Sequence, residues 1–231
     1  MRTTKAWGNM YNFGEKPMQF KKALYTMDSI LKKAKIDYCI YGGVLLGWIR
    51  EGKPIPWDDD IDISIKDHDA QKLELVVEEM ANLGFDINPY KNGPNKIMCL
   101  GDKLHNTKTG AIRRLRVIEK GKEIIIDSGY HNCFFRPFGI KIEINVFYKV
   151  GTNYYWVVEN IKAATTTSWT LPAIHIDNLS SFLYDGVNYP IPSQPEKVLE
   201  LCYGDTWKIP QKNDPMTHMY ENKNGKILKG V

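Results

Sequence analysis

Seven residues constrain this chain more than any others. Asp60-Ile-Asp-Ile-Ser-Ile-Lys66 alternates polar and apolar without a break. That period belongs to a strand with one buried face. Residues two apart on a strand point the same way, so Asp60 and Asp62 project together while Ile61 and Ile63 enter the core. The rise per residue puts the two carboxylates about 6–7 Å apart. Two such acids repel unless a cation lies between them. Hard oxygen ligands with open positions suit Mg2+ or Mn2+. Asp58 adds a further acid at the mouth of the strand.

The segment before this strand carries a second signal. Tyr38 to Tyr41 is a short apolar strand, Gly42-Gly43 follows, and Val44 to Ile49 reads as helix. A Gly-Gly turn lets backbone approach a ligand closely, and the helix N-terminus behind it favours anions. Gly42 and Gly43 are therefore candidates for binding a phosphate, with Arg50 as a bidentate contact. Pro54 and Pro56 forbid continued helix, so 51–57 is a loop. A third carboxylate is offered by Glu143, in the alternating stretch 140–148. It suits either a metal ligand or a general base.

Blander readings exist for each part. Acid runs are commonly solvated surface, and a lone Gly-Gly is commonly a tight turn. Asp58, Asp60 and Asp62 also match the first three ligand positions of a calcium loop, but Ile63 stands where that loop requires Gly. The joint pattern is stronger than its parts.

The rest of the chain is read as follows. Residues 17–34 form an amphipathic helix through Phe20, Leu24, Met27, Ile30 and Leu31, with Lys32, Lys33 and Lys35 at its end. Residues 69–83 return to helical spacing. Strands are expected at 96–100, 112–119 and 122–127, with a hairpin turn at Glu119-Lys-Gly-Lys122. Residues 150–192, rich in Thr, Asn, Tyr and Pro, give no assignment. A short helix runs from Gln194 to Cys202. The expected architecture is α/β (α+β): a mixed sheet flanked by helices, with extra strands in the C-terminal half. It forms one domain over 1–231, with a core at 17–210 and a polar tail at 211–231.

Composition limits the function classes. No run of eighteen apolar residues exists, so no membrane span is expected, and no secretion signal is read at the N-terminus. The expected location is cytoplasmic. The net charge of +4 is too mild to argue for nucleic acid. A basic cluster at Arg113, Arg114, Arg116, Lys120 and Lys122 reads as a solvated hairpin. Cys39, Cys99, Cys133 and Cys202 form no C-x-x-C pair, which argues against zinc. The five histidines show no ligand spacing.

These residues resemble the LicD family, which includes bacterial phosphocholine transferases and the animal proteins fukutin and fukutin-related protein. The resemblance is carried by Gly42-Gly43, Leu45-Leu46-Gly47, Arg50, Ile55-Pro56-Trp57-Asp58 and Asp60-Ile61-Asp62. Lys141 to Tyr148 is similar to the fukutin version of a later strand, with Glu143 where Asp is usual. Leu201 to Pro210 looks like the family's closing Tyr-Gly, Trp, Pro motif. The likeness runs from about residue 25 to 210 with gaps.

The resemblance implies a nucleotidyltransferase fold. It implies Mg2+- or Mn2+-dependent transfer of a phospho-alcohol, such as phosphocholine or a polyol phosphate, from a CDP-linked donor to a glycan hydroxyl. A lipid-linked glycan such as a lipopolysaccharide precursor would put the chain at the inner membrane surface. Asp60 and Asp62 would hold the metal, Glu143 would serve as ligand or base, and Asp58 would support them. Trp57 and Tyr41 would line the pocket. A nucleotidyltransferase acting on a small molecule and a non-catalytic glycan- or nucleotide-binding module are the alternatives.

Overall fold

The computed structural model describes residues 13–85, 97–100, 114–119, 122–127, 132–135, 137–160 and 165–210. Helix α1 (Pro17–Lys33) starts on a proline at its first turn, where the missing N–H is harmless. It buries Phe20, Ala23, Leu24, Met27, Ile30 and Leu31. Strand β1 (Tyr38–Tyr41) leads directly into α2 (Gly42–Glu51), so the helix begins at the Gly-Gly pair itself. Gly52, at φ +70°, ends it in the left-handed conformation that favours glycine. Strand β2 is Asp60–Lys66, as the alternation requires.

The helical spacing at 69–83 becomes two pieces, a 3-10 turn at Asp67–Lys72 and α3 at Leu73–Asn82. Asp69 explains the tight turn. Its buried carboxylate accepts the Asp37 N–H at 3.0 Å and pairs with Lys72 at 2.6 Å. Strands β3 (Ile97–Leu100), β4 (Arg114–Glu119), β5 (Lys122–Asp127) and β6 (Asn132–Phe135) follow. Glu119 pairs with Lys122, as the expected hairpin demands. The side chains of the basic cluster lie outside the described residues.

Strand β7 (Lys141–Val150) is the second pillar of the sheet. The unassigned stretch 150–192 folds as β8 (Asn153–Asn160), β9 (Thr165–Pro172), the short α4 (Ile174–Asp177) and a hairpin of β10 (Leu179–Tyr184) and β11 (Val187–Pro192). Helix α5 (Pro195–Tyr203) starts on another proline.

The main sheet runs β1-β2-β7-β6-β3, with β8 on β7 and β9 on β8. Within it β2 and β7 are parallel, and the remaining pairs are antiparallel. The result is a mixed α/β architecture. The apolar face of β2 and β7 is sealed: Ile61, Ile63, Ile142 and Ile144 have no solvent exposure. Each such side chain contributes about 1.5–3 kcal/mol by leaving water, which pins the register of both strands. A slip of one residue would carry the isoleucines to the acid face.

Candidate functional site

The parallel register stacks the site in rows. Asp60 stands opposite Lys141, Asp62 opposite Glu143, and Ser64 opposite Asn145. On the other side of β2, Tyr41 pairs with Asp62 and Cys39 with Ser64. Partners in register on neighbouring strands lie about 4.8 Å apart and face the same side. Three of the expected residues, Asp60, Asp62 and Glu143, therefore share one patch, at the end of the sheet where β2 and β7 begin.

Further along the strands this face closes. Asn145 donates from Nδ2 to the Tyr41 hydroxyl at 2.6 Å, and the Ser64 hydroxyl lies 2.9 Å from the Cys39 thiol. Phe147 stacks on Trp156 at 4.6 Å, and Tyr41 meets both rings edge-on. Tyr41 is 6% exposed. It forms part of the floor beneath the acids rather than an open wall. Trp57 is half-buried against the core.

The glycines of α2 have a steric reason to be there. A Cβ on Gly42 would fall 2.1 Å from Asp62 Oδ2, and one on Gly43 would fall 2.1 Å from Asp58 Oδ2. Gly42 also sits at φ +65°, where a side chain is strained. Both glycines yield their side-chain space to carboxylates. The structure sets the chain's own acids against the start of the helix. That end carries the positive pole of the helix dipole, which suits negative charge. Gly47 does the same for the following loop. A Cβ there would lie 2.6 Å from the Lys53 carbonyl oxygen and 2.9 Å from the Ile55 nitrogen.

The acids are strained electrostatically. Burial pushes the Asp58 carboxyl well above the usual carboxylate range, and the neighbouring charges of Asp60 and Asp59 push it further. Asp62 is raised in the same way, by burial first and then by Asp60 and Glu143. Asp58 Oδ1 accepts the Asp59 N–H at 3.1 Å, but its Oδ2 is shut away from solvent with no hydrogen-bond partner. A buried unpaired carboxylate oxygen is costly and rare in folded proteins.

Carboxylate oxygens of Asp58, Asp59 and Asp60 converge to within 4.8 Å of one another. This is a different triad from Asp60, Asp62 and Glu143, and Asp59 is a member the strand alternation points away from. Lys141 ties the two sets together. Its ammonium lies 2.7 Å from Asp60 Oδ2 and 3.2 Å from Glu143 Oε2. Sequence reasoning passed over Lys141, although it stands two residues before Glu143 and so shares its face. The closing motif also reaches the site. Burial raises the Tyr203 hydroxyl well above its ordinary range, and Asp62, Asp58 and Asp60 are among the nearby charges that add to the shift.

Arg50 stands apart from this patch. It lies eight residues from Gly42 along α2, about 12 Å by helix rise. Its guanidinium binds Glu51 at 2.7 and 3.0 Å and donates to the Trp207 carbonyl at 3.4 Å. Arg50 fastens the closing motif to the far end of α2.

Residues 35–96 match the model of the LicD/FKTN/FKRP nucleotidyltransferase domain. That match supports a nucleotide-related transferase. Among curated proteins, the chain is 33% identical to uncharacterized protein RP689 of Rickettsia prowazekii over 89 residues, covering 38% of this chain and 33% of the relative. It is 31% identical to uncharacterized protein RT0683 of Rickettsia typhi over 77 residues, covering 33% of this chain and 25% of the relative. The matches thus span a third or less of these relatives.

Among solved structures, the lincosamide antibiotic adenylyltransferase LnuA bound to lincomycin aligns at 14% identity and TM-score 0.39, over 78% of this chain and 84% of its own. The antibiotic-resistance factor ANT(2'')-Ia aligns at 13% identity and TM-score 0.43, over 88% of this chain and 81% of its own. Among the described residues no helix is long and apolar enough to cross a membrane.

Proposed function

We propose that this chain transfers a phospho-alcohol from a CDP-linked donor to a glycan hydroxyl and releases CMP. One observation carries the reading. Within the LicD-matching segment, a buried carboxylate oxygen of Asp58 has no partner, and it sits beside Asp60 and Asp62 on the same patch as Glu143. Leaving such an atom unpaired is costly, and a bound cation would supply the partner it lacks.

A divalent cation fits this donor set. The oxygens are hard, those of Asp58, Asp59 and Asp60 converge, and burial and mutual repulsion hold Asp58 and Asp62 above their ordinary range, which a cation would reverse. Asp60 and Asp62 would hold Mg2+ or Mn2+, with Asp58 supporting them and Glu143 as ligand or base. Bound there, the ion would neutralise charge on the donor's diphosphate. The acceptor oxygen attacks the phosphorus that bears the alcohol. The bond from that phosphorus to the CMP oxygen breaks, and CMP leaves with the electron pair. The hydroxyl proton passes to a carboxylate of the patch. Gly42 and Gly43 leave backbone close to the reacting group. Tyr41, Phe147 and Trp156 exclude water from beneath.

The test is CMP release by mass spectrometry. CDP-choline, CDP-ethanolamine, CDP-ribitol and CDP-glycerol are each offered with Mg2+ and mixed glycans, with Asp62→Asn as the blank. Release from one donor, lost in the variant, is the expected result. Nucleotide transfer from ATP or CTP to a small molecule, with no CMP release from any donor, would overturn the reading.

A further inference from the structure

Lys141 is unused by the reaction as written, yet it sits in the middle of the acid patch. Its ammonium touches Asp60 from the facing strand and Glu143 from its own. Lysine has three donors on a flexible four-carbon stem and binds carboxylates as a point charge, without the rigid fork of arginine. Such a group neutralises a site without locking it. The neutralisation is also partial, because Asp58 Oδ2 stays unpartnered while Lys141 is in place.

We infer that Lys141 is a tethered counter-ion that competes with the divalent cation for Asp60 and Glu143, and so sets the metal affinity of the site. The inference rests on the metal reading above. Lys141 acts here as a positioning residue. It keeps the carboxylates together when no ion is bound, and it must yield them when one arrives. A cation that displaces another from shared ligands binds more weakly by the strength of the contact it replaces. Lys141, Asp60 and Glu143 are 26%, 25% and 19% exposed at the side chain, so the contact is screened only in part.

The experiment is calorimetric titration of the full chain with Mn2+ in low salt, comparing wild type, Lys141→Gln and Lys141→Arg. Melting of the EDTA-treated proteins is measured alongside. Lys141→Gln is expected to bind Mn2+ on the order of fivefold more tightly, the scale of one partly screened charge pair, and to melt lower in EDTA. Lys141→Arg, whose fork grips carboxylates bidentately, is expected to bind Mn2+ more weakly than wild type. A merely structural role would loosen the site and lower the affinity of Lys141→Gln. A folded Lys141→Gln with equal or weaker affinity overturns the inference while leaving the metal reading standing. No Mn2+ binding in any of the three overturns both. Should Lys141→Gln fail to fold, equal or tighter binding in Lys141→Arg overturns the inference.

Discussion

Two carboxylates turn oxygens into this protein under opposite circumstances. Asp28, 5% exposed, accepts the Tyr38 hydroxyl at 2.5 Å and pairs with Lys32 at 2.7 Å. Both of its oxygens have partners. Asp58 has an oxygen equally cut off from water and no partner for it. Each has an oxygen shut away from water, and satisfaction divides them. A satisfied acid ties α1 to β1 and asks for nothing more. An unsatisfied one stores unfavourable energy that a ligand can release. Removing the charge should therefore weaken the protein at position 28 and strengthen it at position 58.

The largest effect that tests this contrast is on turnover. Asp62→Asn should cost at least about 100-fold in rate, the scale of losing one preorganised electrostatic group, while the far-ultraviolet dichroism stays native. Full activity in that variant would move the site elsewhere. Next comes stability. Asp28→Ala should lower the free energy of unfolding by about 3 kcal/mol, because it strands the buried Tyr38 hydroxyl and removes an ion-pair partner. Urea denaturation measures it. Gly47→Ala should follow at about 2 kcal/mol by the same assay, since the added methyl meets backbone that cannot turn aside.

The smallest effect has the opposite sign. Asp58→Asn should raise the melting temperature of the metal-free protein by a few degrees, about 1 kcal/mol. The pH dependence follows from the same cause. The Asp58 and Asp62 carboxyls are raised in the fold, so the native state holds protons that the unfolded chain has released. Their contribution is fully present below the ordinary carboxylate range and is lost as pH rises through the elevated values. As pH rises above the ordinary carboxylate range of about 4, metal-free wild type should thus lose stability more steeply than Asp58→Asn. Parallel curves would show that Asp58 is no more burdened than Asp28.

The same contrast shows what could be read in advance. Strand β2 and helix α1 were legible because burial imposed a strict period on them. Asp60, Asp62 and Glu143 followed from that period, and the structure does put them on one patch. The stretch 150–192 was opaque for the converse reason. Strand β10 exposes Leu183 at 65% and Leu179 at 37% on one face while Phe182 and Tyr184 pack on Trp48 from the other, so apolar residues stand on both faces and leave no clean period. The contact of Arg50 with the Trp207 carbonyl was hidden because the two lie 157 residues apart, which no local pattern encodes. Gly42 and Gly43 were visible as a signal, but the atoms that require them lie on β2 and its entry loop and emerge only once the strand is docked.

The parallel pairing of β2 with β7 has a kinetic side. Asp60 and Lys141 meet across 81 residues of chain. Closing a loop of that length is paid in entropy before any contact rewards it, and parallel pairings of this kind form slowly. The rows that set Asp60 beside Lys141 and Asp62 beside Glu143 await that closure, so the whole patch is expected to assemble late. Mn2+ should slow unfolding of the native protein and leave its refolding rate unchanged. The metal would hold the finished structure closed without having helped to build it.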